Sequence, residues 1–577
     1  MGRRLLRVSP FVLICCSFLF HSQVWAQDAG KSAVPAVAKF TSRTQLVMIP
    51  VVVTGKNGAH IGGLTRDAFR IEERGKVREA SIFEEVNSVA PDVKARAAAP
   101  GEGQHSNFNF GDTGNWRVTV VVMDMLNTPF LNQEEAKRKL MQYLEKNLRR
   151  EEPTALLGLK RSGLQQLYPF TSDAGVLIAA LKKLQGETSS VEMIDASPEL
   201  TGDMTDSLDN NSVSQSAAML SQFMQDSETS QQAYEQRNAT RTTLEALTQI
   251  AHAYEAIPGR KTLIWASGGF PFMIDDPQSF AHMGLDMVAQ YEETWRALSA
   301  AGIAVYTLDV RGLVGFSGIT AGLDSSRRRM TGKGSSGMTT NTAPHLAYDK
   351  DAQQQQTLRT FAEATGGIAC VNTNDQERCF AHAVDDSRSY YMLGYYLRSD
   401  DQQPGWRKLK VKVDVEGAHV RAREGFYVGA AKEDTPQTMR QQMSVALRSP
   451  VEFTGIRMNV REIAPGKERQ AAEAGKTRRQ FAVGMPAKSV TVDVQNGNQV
   501  DMTIVAIAFD SKGKNAGQGE NHVAGKLKSE TAEKVKRGGM GVEVGVELAP
   551  GKYDMHIAAR DNLNGEVGTV VFPVEVK

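Results

Sequence analysis

The stretch Val118-Thr-Val-Val-Val-Met-Asp124 decides the class of fold. Its residues up to Met123 are apolar apart from one threonine, which is typical of a strand buried on both faces, as in parallel sheets. Helical spacing follows over residues 133–148, where Ala136, Leu140 and Leu144 fall on one face. The stretch therefore predicts the first strand and helix of an α/β domain.

The same alternation continues along the chain. Further strands are predicted at 155–159, 164–168, 262–266, 303–308 and 368–371, with helices at 173–184, 239–257, 287–300, 358–365 and 377–384. Buried strands that alternate with helices indicate a mostly parallel sheet covered on both faces. We therefore expect a doubly wound α/β domain over residues 115–388.

The segments on either side of this domain have β character. Residues 40–90 and 389–430 contain short alternating strands, and residues 88–115 are rich in Ala, Pro, Gly and Asn, as in a linker. Each segment supplies about three strands, which is near the lower limit for independent stability, and residues 45–86 have too few apolar positions to bury a core alone. We therefore expect the two segments to pair in one sandwich interrupted by the α/β domain. Strands predicted at 489–494, 500–509, 541–548, 553–559 and 567–576 indicate a C-terminal immunoglobulin-like β-sandwich over residues 450–577.

The start of the chain resembles a secretory signal. Arg3, Arg4 and Arg7 precede the apolar run from Phe11 to Phe20, and a small residue, Ala26, ends a plausible cleavage site. We predict a signal peptide over residues 1–26 and a periplasmic or extracellular location; an uncleaved N-terminal anchor is the alternative. No later segment approaches 18 apolar residues, so no membrane span is expected in the mature chain.

Charge and cysteine content restrict the partners and the compartment. Without residues 1–26, which carry three arginines and no acid, the formal net charge changes from +1 to −2. A near-neutral chain without a basic stripe argues against nucleic acid as a partner. Cys370 and Cys379 are the two cysteines beyond the signal, and in an oxidising compartment they are a disulfide candidate; two unrelated free thiols are the alternative.

Nine short pieces, in order, carry a family resemblance. They are Gly63–Phe69, Asp124–Thr128, Phe170–Asp173, Pro258–Lys261, Ser267–Phe270, Tyr306–Asp309, Ala364–Gly367, Tyr390–Tyr395 and Arg421–Tyr427. Together they resemble the von Willebrand factor A (VWFA)-related family of exported bacterial proteins of the acidobacterial type, over about residues 45–428. The stretch Leu548–Tyr553, with its Pro-Gly turn, is loosely similar to immunoglobulin-like modules.

The resemblance implies a divalent-cation site, for Mg²⁺ or Ca²⁺, at the carboxyl edge of the sheet. Such A-domains use an Asp-x-Ser-x-Ser motif with a later Thr and Asp, because hard cations prefer oxygen ligands. Asp124 and Thr128 match this motif, Thr188 is the third candidate ligand, and Ser267 stands where the later Asp is expected. The site would therefore be a degenerate metal site.

Three further residues bear on this site. Leu126 replaces the first serine of the motif, and the carbonyl oxygen of Asn127 is a possible substitute. Asp309 and Asp275 lie in neighbouring loops and could add ligands. The alternative is a structural Asp124 that caps the loop after the strand by hydrogen bonds.

The sequence carries none of the enzyme signatures sought. Ser267 lies in Trp-Ala-Ser-Gly-Gly, which is not a nucleophile elbow, and the sequence has no phosphate-binding loop and no His-Glu-x-x-His. Insertions at 189–232 and 312–348 are either binding loops or disordered segments. We expect a non-enzymatic protein that binds a protein partner or mediates adhesion. A metal-free scaffold of a cell-envelope assembly is the alternative, and a hydrolase is a third hypothesis.

Overall fold

The structure is a computed structural model. It describes residues 45–87, 103–108, 118–147, 153–190, 214–272 except 256 and 258, 285–312, 343–397 except 374, 401–428 except 402, 435–464 and 473–577. The predicted signal peptide and the insertion residues 191–213 and 313–342 lie outside these ranges. None of the described helices is long and apolar enough to cross a membrane.

Twenty-two strands and eight α-helices are named here in chain order. The strands are β1 (Gln45–Thr54), β2 (Phe69–Glu73), β3 (Lys76–Arg78), β4 (Ile82–Asn87), β5 (Gln104–Ser106), β6 (Thr119–Asp124), β7 (Thr154–Lys160), β8 (Gly163–Thr171), β9 (Lys261–Ser267), β10 (Ile303–Asp309), β11 (Ala369–Cys370), β12 (Ser389–Leu397), β13 (Gly405–Val413), β14 (His419–Arg421), β15 (Gly425–Val428), β16 (Asn459–Ile463), β17 (Thr477–Met485), β18 (Gln499–Phe509), β19 (Asn515–Lys526), β20 (Met540–Leu548), β21 (Gly551–Asp561) and β22 (Val567–Val576). The helices are α1 (Phe130–Asn147), α2 (Ala174–Lys183), α3 (Ser214–Tyr254), α4 (Leu285–Ala300), α5 (Ala343–Thr365), α6 (Gln376–Asp386), α7 (Pro436–Arg448) and α8 (Ser529–Gly538).

The α/β part contains a six-stranded sheet in the order β11-β10-β9-β6-β7-β8. All neighbouring pairs are parallel except β7 and β8, which are antiparallel. Numbered within this sheet, the order is 3-2-1-4-5-6, the order of doubly wound folds, with the third strand reversed. The predicted mixed α/β architecture is therefore present.

Strand β6 is buried on both faces, which confirms the prediction for this stretch. Val120 and Val122 contribute to a core formed with α3, α4 and α5, whereas Val121 and Met123 contribute to a second core formed with α1, α2 and α6. Full burial of each such side chain contributes about 1.5–3 kcal/mol. The apolar run thus stabilises both layers of helices on the sheet.

Two four-stranded sheets, β14-β1-β12-β4 and β15-β13-β2-β3, form the first sandwich. Strand β1 pairs antiparallel with β12 from Gln45–Leu397 to Val51–Tyr391, and β13 pairs with β2. Residues 45–87 and 389–428 therefore contribute strands to both sheets. Their inward side chains form one core.

A buried ion pair lies in this sandwich. The guanidinium of Arg407 donates to Oε1 of Glu73 at 2.6 Å, and both side chains are almost fully buried. Arg78 and the hydroxyl of Tyr395 donate to the other oxygen of Glu73 at 2.8 and 3.1 Å. Both carboxylate oxygens therefore have partners, as a buried charge requires.

The C-terminal part is a second pair of sheets, β20-β17-β16-β5 and β19-β18-β21-β22, which enclose one core. Helix α7 packs on it through Met443 and Leu447 against Ala558. Four strands predicted here are confirmed, but the strand expected at 489–494 is wrong. The chain instead makes a 3-10 turn at Ala487–Ser489 and a loop, and the strand lies earlier, at β17.

The segment expected to be a linker contains strand β5, which pairs with β16. Asn107 fixes it there, because its Nδ2 donates to the carbonyl oxygens of Phe453 and Ile456 at 2.7 and 2.8 Å. Its Oδ1 accepts from the N–H of Met458 at 2.8 Å. Part of the predicted linker is thus an edge strand of the C-terminal sandwich. All three residues of β5 are polar, so no hydrophobic periodicity in the sequence predicts this strand.

Helix α3 is longer than expected. The sequence predicts a helix over 239–257, with an earlier start near Gln231 as the alternative, but the helix begins at Ser214, within the insertion predicted at 189–232. Its C-terminal half carries the apolar stripe, with Leu244, Leu247 and Ile250 in the core. Its N-terminal part lies in a stretch rich in Ser, Met, Gln, Asp and Asn, a composition that the sequence analysis interprets as an insertion.

Candidate functional site

The carboxyl ends of β6, β9 and β10 meet at one edge of the six-stranded sheet. They place Asp124, Ser267 and Asp309 next to each other, and Asp309 is in register with Ser267. All three side chains are buried. Ligands of parallel sheets bind beyond this edge, so we call it the carboxyl edge and treat it as the candidate site.

The Asp124 carboxylate is surrounded by hydrogen-bond donors. Oδ1 accepts from the backbone N–H and the side-chain Nδ2 of Asn127, at 3.0 and 3.2 Å. Oδ2 accepts from Nδ2 of Asn127 at 2.9 Å and from Nε1 of Trp265 at 3.0 Å, and the Ser267 hydroxyl lies 2.8 Å away. The bond to the backbone of Asn127 closes the loop after β6, which is the capping geometry of a structural aspartate.

Burial shifts the titration of this group. It raises the pKa of Asp124 from 3.8 to about 6, because desolvation penalises the carboxylate. The donors on Asn127, Ser267 and Trp265 oppose this rise, since each favours the ionised form.

Thr128 and Ser267 are brought to Asp124, but their hydroxyls are engaged by the backbone. The N–H of Gly268 donates to Oγ1 of Thr128 at 3.0 Å, and the N–H of Gly269 donates to Oγ of Ser267 at 3.1 Å. A Cβ on Gly268 would come within 2.9 Å of the carbonyl oxygen of Asn127. The glycine therefore allows the loops after β6 and β9 to pack against each other.

Gln133 holds a third loop against the same edge. Its buried Nε2 donates to the carbonyl oxygens of Met125, Thr128 and Glu187, and its Oε1 accepts from the N–H of Glu187. The loop that follows α2 is thereby fixed beside the loop after β6. Thr188, predicted as a ligand in this loop, is exposed.

The two residues that follow Thr188 carry the buried hydroxyls of that loop. Ser189 and Ser190 are 0% and 2% exposed. Ser190 donates from Oγ to the carbonyl oxygen of Leu126 at 2.9 Å. The predicted residues Asp124, Thr128 and Ser267 are thus brought together, while the third candidate, Thr188, is turned to solvent.

The arrangement of donors does not fit a divalent cation. Such an ion needs several oxygen lone pairs directed at one point. Both oxygens of Asp124 instead receive N–H groups, and the amide nitrogen of Asn127, rather than its oxygen, faces them. Among the described residues, no group of three or more acidic, histidine or cysteine side chains could hold a metal.

Asp309, the other acidic candidate that the structure describes, is engaged by an arginine. Asp309 forms a two-pronged ion pair with Arg311, with both nitrogen–oxygen distances at 2.9 Å. Arg311 also donates to Gln354 on α5. Asp275 lies outside the described residues.

The predicted cysteine pair lies where β11 leads into α6. Cys370 and Cys379 form a disulfide, with their Cα atoms 6.0 Å apart. Cys370 is buried against the core on the α1 face of the sheet, and Cys379 packs against the same core. The bridge therefore fixes the short β11 to the helix that follows it.

Large apolar side chains are exposed at the carboxyl edge. Phe130 and Leu131, in the first turn of α1, are 46% and 85% exposed, and Tyr234 on α3 is 63% exposed. The residues next to Tyr234 reach the loops at this edge: Glu235 pairs with Arg161 after β7, and Gln236 donates to Pro271 after β9. We call Phe130, Leu131 and Tyr234, which stand on helices that cover opposite faces of the sheet, the edge cluster.

Several residues of this site were not identified from the sequence. The sequence indicates Trp265 only as part of a buried strand and Gln133 only as a helix position. Trp265 bonds to Asp124, and Gln133 bonds to the backbone of Glu187. These partners are distant in the chain, so no local sequence pattern predicts the bonds. A comparison with protein-family models and with curated proteins finds no match for this chain.

Proposed function

We propose that this chain is an exported protein with a von Willebrand factor A-type domain, and that it binds a protein partner at the carboxyl edge without a metal ion. The observation that carries the proposal is the edge cluster. Exposed aromatic and leucine side chains at one functional edge are typical of protein-binding surfaces. The order of the six-stranded sheet and the family resemblance support the domain type.

The hydrogen bonds of Asp124 favour binding without a cation. In a metal-dependent A-domain the cation takes a carboxylate from the partner, which requires open coordination positions. Here the carboxylate stabilises the loop after β6, and Gln133 stabilises the next loop. The partner would therefore meet a preformed surface, whose apolar side chains supply the affinity.

The test is capture of a partner from envelope extract by the full chain, with and without a chelator. Leu131→Asp should abolish capture, because it places a charge within the edge cluster. The acid stands in the first turn of α1, where it is compatible with the helix dipole, so folding should be unaffected. Val494→Asp, at a residue 59% exposed in the C-terminal part, is the matched control. Capture that needs divalent ions, or that Leu131→Asp leaves intact, would contradict the proposal.

A structural scaffold is the second candidate, favoured by the junction around Arg260. This buried side chain donates to the Tyr306 hydroxyl and to the carbonyl oxygen of Gly366, and its N–H donates to the hydroxyl of Tyr390 on β12. The α/β part and the first sandwich are thus tied through buried polar contacts. Loss of an envelope assembly on deletion of the chain, with Leu131→Asp fully functional, would favour the scaffold.

A further inference from the structure

The outer surface of strands β13, β2 and β3 in the first sandwich carries a local positive charge. Successive residues of a strand point to opposite sides of the sheet. Leu409 and Ile71 belong to the core of the sandwich, so the residues on either side of them point outward. The basic side chains at the outward positions, all exposed, are Lys408, Lys410, Lys412 and Arg70. We call this surface the basic face.

Strand pairing spreads the charges over a flat area. Lys412 lies opposite Arg70 in the ladder, and Lys410 lies opposite Glu72. The outward lysines of β13 repeat about every 7 Å along the strand, and neighbouring strands are about 4.8 Å apart. The bases therefore form a field of charge on a sheet surface and do not converge on one point.

The acids at this surface do not cancel its charge. Oε1 of Glu72 lies 2.7 Å from Nζ of Lys412 and 3.1 Å from Nε of Arg70. Four bases and this one acid give the outward positions a formal charge of +3. The remaining exposed charges of these strands and of the residues next to them cancel, and they are Arg74, Lys76, Glu79 and Asp414. The chain without residues 1–26 has a formal net charge of −2, so the basic face is opposite in sign to the whole molecule.

The basic face lies beside a part of the same sheet that is covered. At the β15 side the sheet packs on α4, where the rings of Trp406 and Trp295 lie 5.4 Å apart. The hydroxyl of Tyr427 on β15 donates to Glu292 of the same helix. Beyond this helix the outward lysines are open to solvent, and Val77 on β3 is 55% exposed among them.

We propose that the basic face binds the surface of a bilayer that contains anionic phospholipids. Lysine ammonium groups on flexible stems act as point charges, which suits many mobile phosphate headgroups, whereas recognition of one fixed anion favours the planar fork of arginine. Lysine stems beside the exposed Val77 suit the boundary between headgroups and acyl chains.

A protein partner fits this surface less well. Protein interfaces depend on a few aromatic or arginine anchors that fill pockets at their centre. The centre of the basic face is instead a row of lysines along β13. The face lies on the first sandwich and the edge cluster lies on the α/β part, so the proposal does not depend on the function proposed for that cluster.

The test is co-sedimentation of the exported protein with vesicles of equal parts phosphatidylglycerol and phosphatidylcholine at low ionic strength. Intact mass first verifies that residues 1–26 have been removed, because their apolar run would itself enter a bilayer. Each base near an anionic surface strengthens partition about fivefold, so the triple variant Lys408→Gln, Lys410→Gln, Lys412→Gln should bind about a hundredfold more weakly. Added salt should release the wild type, because it screens the attraction.

Two further variants separate the basic face from net charge and from folding. The triple variant Lys526→Gln, Lys534→Gln, Lys552→Gln removes the same charge from exposed positions of the C-terminal part and should bind like the wild type. Glu72→Gln removes the acid from the basic face and should strengthen binding about fivefold. The melting temperature of each variant verifies that it is folded.

Three results would overturn the proposal. The first is equal partition into vesicles of phosphatidylcholine alone, and the second is an equal loss of binding in the two lysine triples. The third is binding of labelled polyglutamate through the lysines of β13 without binding to the anionic vesicles, which would indicate an acidic protein partner instead.

Discussion

The indole N–H of Trp265 on β9 donates a hydrogen bond of 3.0 Å to Oδ2 of Asp124 at the end of β6. Both side chains are at most 1% exposed. The carboxylate that matches the metal-binding motif in the sequence thus accepts a hydrogen bond from an aromatic side chain of the neighbouring strand. This relationship determines how the site should respond to pH and to cations.

The stability of the protein should depend on the titration of Asp124. Its pKa is about 6 in the folded chain and near 3.8 when unfolded, so the folded state binds the proton more tightly. The contribution is present below the unfolded value and is lost as the pH rises through about 6. We expect about 2–3 kcal/mol of unfolding free energy to be lost between about pH 4 and pH 7.

Urea unfolding of the wild type and of Asp124→Asn at several pH values measures this contribution. The groups common to both proteins cancel in the difference. The advantage of the wild type should be larger at low pH. An advantage that grows with pH would mean an Asp124 with a lowered pKa, as expected beside a cation.

Divalent cations should leave the melting temperature unchanged. A ligand that binds the folded state raises the melting temperature by mass action, and the donor arrangement around Asp124 gives no site for one. Differential scanning fluorimetry with millimolar Mg²⁺, Ca²⁺ and Mn²⁺ tests this. A rise that Asp124→Ala abolishes would restore the metal site that the family resemblance implies.

Reduction of the Cys370–Cys379 disulfide should destabilise the protein. The bridge closes a loop with a sequence separation of 9, which contributes about 2–3 kcal/mol in the chain-entropy model. Chemical unfolding of the oxidised protein and of a Cys370→Ser, Cys379→Ser double variant measures the difference. Intact mass before and after alkylation without reductant shows whether the thiols are protected, and two modified thiols would contradict the bridge.

Removal of the buried acid in the first sandwich should be costly. Glu73→Ala leaves the Arg407 guanidinium buried without its carboxylate, so we expect a loss of about 3–5 kcal/mol. Glu72→Ala is the matched control, because the neighbouring acid pairs with the half-exposed Lys412. Equal effects of the two substitutions on the unfolding free energy would show that the buried pair is unimportant.

The two halves of the first sandwich should fold only together. Residues 389–428 alone lack β1, which pairs with β12, and β2, which pairs with β13, so this fragment should remain unfolded. Co-expression with residues 40–90 should yield a folded complex, because β12 then has both of its neighbours. Circular dichroism and co-purification measure the outcome. A folded fragment 389–428 by itself would contradict this.

The sequence predicts the elements that rely on local pattern. Burial can be predicted from the apolar run of β6, from the apolar stripe of α3 and from the alternating residues of β18. Strand β5 escapes prediction because its polar residues Gln104–Ser106 are held by pairing with the distant β16. Strand β19 pairs with the adjacent β18 but escapes prediction because the glycine-rich Asn515–Lys526 has no apolar alternation. The sequence likewise predicts that Asp124 lies at the carboxyl edge, but it does not predict how the side chains of Trp265 and Asn127 are oriented, because their hydrogen bonds to Asp124 depend on the folded arrangement.

Strand β5 has a consequence for the order in which the chain is made. Strand β1 pairs with β12, and β5 pairs with β16. Each of these two early strands therefore depends on a partner that is synthesised some 340–360 residues later. These two pairings cross in sequence order, because β5 lies between β1 and β12 along the chain whereas its partner β16 lies beyond β12. Contacts this distant slow folding. The two N-terminal segments therefore remain without their strand partners until residues 389–463 have been synthesised.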